Sequence, residues 1–185
     1  MMTRPIGLAI VLCALLGRSS ALGANTEHLE DYARAFVGDW IGEWEMDMTI
    51  PGIVTEGDKV VVRATTEWIL DKKALRTKWE AEINGKPAGS GITIIGWDRS
   101  TSEIVSSGFD SFGGRGESVV SKVGDQWVEL GTGVGVDGTK HAIVNSTHIA
   151  EDGNSQTIQV IGRLSPEGAP LPTLTIVYKR RGDRN

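Results

Sequence analysis

From residue 39 onward, apolar and polar side chains alternate with a period of two. Leu75, Thr77, Trp79, Ala81 and Ile83 alternate with Arg76, Lys78, Glu80 and Glu82. Val62, Ala64, Thr66 and Trp68 alternate in the same way with Arg63, Thr65 and Glu67. Each run predicts a strand with one dry face and one wet face. Further strands are predicted near 39–48, 91–98, 102–109, 116–123, 126–136, 140–149, 156–163 and 172–180. Between them stand short turn signals: Asp71-Lys72-Lys73, Asn84-Gly85-Lys86-Pro87, Asp98-Arg99-Ser100, Gly124-Asp125, Asp137-Gly138 and Asp152-Gly153-Asn154. Connections this brief join only antiparallel neighbours. The result is an all-β chain of about ten strands without a crossover helix. Closing the sheet into an up-and-down barrel removes its edges; an open two-layer sandwich is the alternative.

One segment keeps a helical period. Leu29, Tyr32, Ala33, Phe36 and Val37 fall at i, i+3, i+4, i+7 and i+8, with Asn25 or Thr26 as N-cap. Glu27, Glu30 and Asp31 suit the positive end of this helix, and Gly38 ends it. Such a helix would plug or cover one mouth of the barrel.

The N-terminus has the three parts of an export signal. Arg4 is the only charge among the first five residues, and Ile6 to Gly17 form an uncharged apolar run too short to span a bilayer. Ser19/Ala21 or Ala21/Gly23 supply the small residues that cleavage requires, and Leu12 before Cys13 argues against lipidation. The expected organisation is therefore a signal peptide over 1–23, a helix over 24–38 and a barrel over 39–181, with an extracytoplasmic (periplasmic or secreted) destination.

Cleavage changes the charge. The full chain carries −5; without Arg4 and Arg18, 17 basic side chains face 24 acidic ones, a net −7. The only cysteine, Cys13, also leaves, so the core must supply stability without a disulfide. About 160 residues are enough for one single-domain core. A mildly acidic chain without a basic patch is a poor nucleic-acid binder, and no second membrane segment is evident.

Tryptophan dominates the candidate chemistry, with six of the eleven aromatics: Trp40, Trp44, Trp68, Trp79, Trp97 and Trp127. An indole suits either a packed core or the wall of a site for a flat ligand. Trp40, Gly42 and Trp44 share one strand face and read first as filling for the closed end. Gly131, Gly133 and Gly135 also share a face, which either bends the strand at a barrel corner or leaves room for a bulky neighbour. Corner bending is the favoured reading. Gly113-Gly114-Arg115-Gly116 could form an anion-binding nest, but lacks the context of a P-loop.

Histidines are His28, His141 and His148. His141 and His148 lie seven apart on one strand and so point to opposite faces, which leaves no zinc ligand set. A single histidine can still ligate haem iron, with His148 preferred among its apolar and small neighbours. Ser107, Asp110 and His148 are the residue types of a nucleophilic triad, but no GxSxG elbow is present. As an acid/base group Asp110 lies beside Phe109 and Phe112; capping a turn is its simpler role.

Ile95-Gly96-Trp97-Asp98, Phe109-Asp110-Ser111 with Gly113-Gly114, Gly124-Asp125-Gln126-Trp127, Asp137-Gly138, Asn145, Arg163, Gly168 and Pro172 occur in an order that resembles a bacterial domain often found after a ketosteroid-isomerase-like domain. The chain is also similar to exported lipocalin-like (calycin) β-barrels, whose Gly-x-Trp start is matched by Val37-Gly38-Asp39-Trp40. Nitrobindin-type haem barrels share a Gly-x-Trp-x-Gly start, matched by Gly38, Trp40 and Gly42, without a match in the haem-ligand region. The resemblance implies the fold and brings no activity with it. No ketosteroid-isomerase-like segment is present.

These readings converge on a lipocalin-like barrel that holds a small, largely hydrophobic molecule in its interior, without a required cofactor. Trp68, Trp79 and Trp97 are the expected walls, with Asp110, Asn145 and Arg163 as inward polar anchors. The rivals are an acid/base isomerase or hydrolase using Asp110 or His148, a haem-binding barrel, and a non-catalytic assembly module.

Overall fold

A computed structural model of the chain describes residues 27–49, 52–135, 138–164 and 173–182, without the side chains of Glu27 and of 161–164. The expected export signal over 1–23, the segment 165–172 and the last three residues lie outside the described residues. Helix α1 (Glu27–Phe36) leads into ten strands: β1 (Gly38–Glu45), β2 (Lys59–Ile69), β3 (Ala74–Ile83), β4 (Lys86–Asp98) and β5 (Glu103–Asp110). Then come β6 (Arg115–Val123), β7 (Gln126–Val134), β8 (Lys140–Ile149), β9 (Ser155–Leu164) and β10 (Leu174–Arg180). Every strand pairs antiparallel with its sequence neighbour, and β10 returns to β1, so the sheet closes into a barrel. The sandwich is thereby excluded.

The closing seam is short: Trp40, Ile41 and Gly42 pair with Arg180, Lys179 and Tyr178. Gly42 is needed there. A Cβ at this position would stand 3.0 Å from the ring of Tyr178, which lies flat across the bare backbone. The seam gains one more bond, from the Arg181 N–H to the Asp39 carbonyl at 2.8 Å.

Helix α1 covers one end of the barrel. Leu29 and Ala33, on its apolar stripe, pack with Leu75, Ile95, Ile104, Val120 and Trp127, and Trp68, Trp97 and Ile149 flank this cluster. These residues come from the strand ends on that side, so the period-3.6 stripe of the helix seals a layer of period-two side chains. The last helical carbonyl and the one just beyond it find donors: the Trp40 indole Nε1–H donates to Phe36 O (2.8 Å) and the Arg180 guanidinium to Val37 O (2.6 Å).

The one long strand connection in the first half, between β1 and β2, forms an arch at the opposite end. Its Met46 and Val54 pack with Val60, flanked by Trp44, Met48 and Ile53. Asp58 fastens this arch to the β3–β4 turn by accepting from the Asn84 side-chain amide (2.7 Å), while Asn84 accepts from the Lys59 N–H (3.0 Å). Register shifts mark two irregularities, in the β3–β4 pairing opposite Ala81/Glu82 and in the β8–β9 pairing opposite Val144/Asn145.

Candidate functional site

The interior of the barrel is open above the helical floor. A cavity of about 440 Å³ is bounded below by Tyr32 and Phe36 of α1. It continues toward the opposite end into a second space of about 360 Å³, and both share Trp79, Thr93, Ser106 and Glu129.

The two sides of the lower space differ in chemistry. Strands β1, β2, β3 and β10 present Trp40, Trp44, Val62, Trp79, Ile176 and Tyr178, with the paired Thr66 and Thr77 hydroxyls (2.8 Å) as the polar exception. The facing strands β5 to β8 present Ser106, Glu129 and Asn145, with Ser118 just above them. This polar wall is one hydrogen-bonded chain. The Ser106 and Ser118 hydroxyls lie 2.6 Å apart, Ser118 donates to Glu129 Oε1, and the Asn145 amide donates to Glu129 Oε2 at 3.2 Å. No cationic side chain pairs with Glu129 among the described residues. Because the Asn145 nitrogen is turned toward that carboxylate, its Oδ1 is left buried without a donor; Gln156 Oε1 is in the same condition nearer the floor. Opposite this asparagine the β8–β9 register shifts, and Ile161 of β9 is the residue passed over between Val160 and Gly162.

Two tyrosine hydroxyls at the cavity are held neutral. Burial pushes Tyr178 up to about 12. Tyr32 is pushed up further, first by burial and then by the negative charge of Glu129. Its ring stacks on Phe36 (4.2 Å between centroids) and meets Trp127 edge-on (5.1 Å), which fixes the floor.

The expected site residues divide. Trp79 and Asn145 line the cavity. Trp79 does so because Gly91 faces it across the β3–β4 ladder: a Cβ there would come within 2.5 Å of the indole. Trp68 and Trp97 pack instead in the sealed end under α1, where Trp97 also stacks on His28 (5.9 Å). Arg163 pairs with Ile143 in the β8–β9 ladder, and its side chain lies outside the described ones.

Asp110 borders the upper space but is engaged as a turn cap, its Oδ1 accepting from the N–H groups of Phe112 (2.9 Å) and Gly114 (2.8 Å). The Gly114 bond, with one from the Gly113 N–H to the Asp110 carbonyl (3.2 Å), consumes N–H groups that an anion-binding nest at Gly113–Gly116 would have offered. His148 lies on the outer face, half exposed, 3.4 Å from Asp125. It does not enter the cavity, either as an acid/base group or as a ligand to haem held there. Ser107, Asp110 and His148 are not brought together, since Ser107 and His148 share the outer parity of different strands. The interior histidine is His141, beside Gly133, where a Cβ would stand 2.9 Å from its Nε2. Gly133 thus makes room for a bulky neighbour, and Gly131 for Ser118 and the β6 backbone, where corner bending was expected.

Sequence reasoning passed over Glu129 and Tyr178. The signal for Glu129 was present: it has the inward parity of Trp127, Gly131 and Gly133, a charge on an otherwise uncharged face.

No family model and no curated protein sequence matches the chain. Solved structures match through the fold. Rv2717c from M. tuberculosis is similar with a TM-score of 0.61 and 16% identity, over 88% of this chain and 100% of that one. The S-type phycobiliprotein lyase CPES from Guillardia theta is similar at 0.50 and 12%, over 85% and 94%. With the closed ten-strand meander, these likenesses show a shared fold, a closed antiparallel β-barrel.

Proposed function

We propose that this protein is an exported β-barrel that binds a small, largely hydrophobic molecule in its interior. The observation that carries the reading is the cavity itself, about 440 Å³ with an aromatic and aliphatic wall facing a few convergent polar groups. That combination suits a compact ligand held by apolar contact and oriented by hydrogen bonds. A core meant only for stability would be filled to the density of an organic crystal.

Titration of the mature protein with a panel of lipids, sterols and small aromatic compounds tests it through the intrinsic tryptophan emission. Quenching is expected, reduced in Trp79→Phe. A panel that leaves the emission unchanged, together with an experimental structure showing the interior filled by side chains, overturns the reading. Export rests on the sequence of residues 1–23. The intact mass of protein from the extracytoplasmic fraction should correspond to a chain beginning within a few residues of Ala24. A cytoplasmic protein that retains Met1 or its neighbours overturns that part.

A further inference from the structure

Rings in this barrel rest on glycines. Gly42, Gly91 and Gly133 each lie under a ring supplied by a ladder partner: Tyr178, Trp79 and His141. A Cβ at these three positions would stand 3.0, 2.5 and 2.9 Å from the ring above it. Gly89 lies under Phe112 in the same way. A strand position without a side chain lets a flat group come close to the peptide plane, and each of these rings does so. Gly116 of β6 is the exception. Its ladder partners are Gly108 on β5 and Gly133 on β7, so neither neighbour can supply a ring. Among the described atoms, a Cβ there would meet only the Thr132 carbonyl oxygen, at 3.7 Å, and a seated ring would fall well inside that distance. Its φ is not in the left-handed region, so backbone conformation does not call for glycine. The bare position faces the upper space of about 360 Å³, which Trp79 and Phe112 also line. That volume lies within the usual size of small-molecule sites, roughly 300–1,000 Å³.

We infer that the upper space holds a planar aromatic ring of the ligand seated on Gly116, so that the bound molecule is a flat compound of one or two rings. The inference rests on the proposed cavity-binding function and narrows its ligand class. From β5 to β7 the seat spans about 10 Å, two strand spacings. Its edges are polar: the Thr93 hydroxyl beside Gly108 and the His141 imidazole beside Gly133. A flat ring brings all its atoms against the peptide surface at once. A puckered, saturated ring touches at only a few, and a gap of about 0.5–1 Å already forfeits roughly a quarter to a half of each dispersion contact. Trp79 borders both spaces, so a ligand seated here can extend its remaining apolar part into the lower one.

Two probes with one carbon skeleton and one hydroxyl test it by calorimetry: 2-naphthol and its saturated form, decahydro-2-naphthol. By apolar area alone the saturated probe should bind at least as tightly. The seat predicts the reverse, with naphthol about tenfold or more tighter. Gly116→Ala adds a methyl that meets no close atom, so its thermal midpoint should hold. That methyl should weaken naphthol about fivefold or more and leave decahydronaphthol near its original affinity. Gly96→Ala, also without a close neighbour but on the outer face, should change neither. In the ¹⁵N-labelled protein the Gly116 amide, identified by its loss in Gly116→Ala, should shift more with naphthol than with the saturated probe. Equal or tighter binding of the saturated probe overturns the seat and leaves the cavity reading standing. So does naphthol affinity that is unchanged in Gly116→Ala, or naphthol that binds without moving the Gly116 amide; the bare position would then serve only the curvature of the strand. If neither probe binds but a lipid or sterol does, the seat alone falls. If nothing binds, the cavity reading falls with it.

Discussion

The guanidinium of Arg180 lies over the indole of Trp40, 4.3 Å from the ring centroid. The two residues pair across the β1–β10 seam, so the last strand holds the first at the point where the barrel closes. Arg180 also donates to Val37 O (2.6 Å) and Gly153 O (3.0 Å), and so joins the end of α1, the β8–β9 turn and the seam. A planar group with several fixed donors can stack and donate in two directions at once, and an ammonium cannot.

Replacing Arg180 by alanine should therefore destabilise the fold by about 2–4 kcal/mol, the sum expected for a partly buried stack and two charge-assisted bonds. Arg180→Lys should recover less than half of that. Urea denaturation followed by tryptophan emission measures both. A loss under about 0.5 kcal/mol, the range of an ordinary surface change, would show that the clasp is not structural.

Gly91→Ala tests how the cavity wall is set. The new Cβ would fall 2.5 Å from the Trp79 indole, so the ring must turn away. The expected result is a shifted tryptophan emission and a several-fold loss of affinity for the apolar probe, with a stability loss of about 1–3 kcal/mol from overpacking. Unchanged emission would mean that Trp79 does not rest on Gly91.

Asp110 should behave as a cap. Asp110→Asn keeps an acceptor at Oδ1 and should cost less than about 1 kcal/mol, while Asp110→Ala strands the N–H groups of Phe112 and the buried Gly114 and should cost about 1–3 kcal/mol. Ligand affinity in the lower space should change little in Asp110→Asn. A large affinity loss in that variant, without loss of stability, would return Asp110 to the binding site.

Alkaline pH should weaken the fold through the two buried tyrosines. Both release their protons at higher pH when folded than when unfolded, Tyr178 at about 12 against an ordinary 10.0 and Tyr32 higher still. The folded state thus binds more protons above the unfolded value, and the stability this provides is complete below about pH 10 and lost as pH rises through the folded values. Denaturation midpoints measured from about pH 9 to pH 12 should fall. Tyr178→Phe should flatten the slope, and an unchanged slope would place that hydroxyl in water.

Much of this architecture was legible in the sequence, for local reasons. The period-two runs gave the strands, Asn84-Gly85 and Gly124-Asp125 gave turns, and the stripe Leu29–Tyr32–Ala33–Phe36 gave a helix that covers one end. Parity also put Trp79 and Asn145 on the inner face. The position of each along the barrel axis was beyond its reach. Trp68, Trp79 and Trp97 have the same inward parity, yet only Trp79 meets the cavity, because Trp68 and Trp97 stand at the strand ends sealed by α1.

By itself, then, the sequence determined the strands, their faces, their turns and the amphipathic helix, since each depends on neighbours only a few residues away. The tertiary structure decided what depends on distant pairing. It placed Arg180 on Trp40, chose the end that α1 closes, and joined Ser106, Ser118, Glu129 and Asn145 into one polar wall across four strands. Alternation tells a side chain which way to point; only closure of the sheet fixes what it meets there.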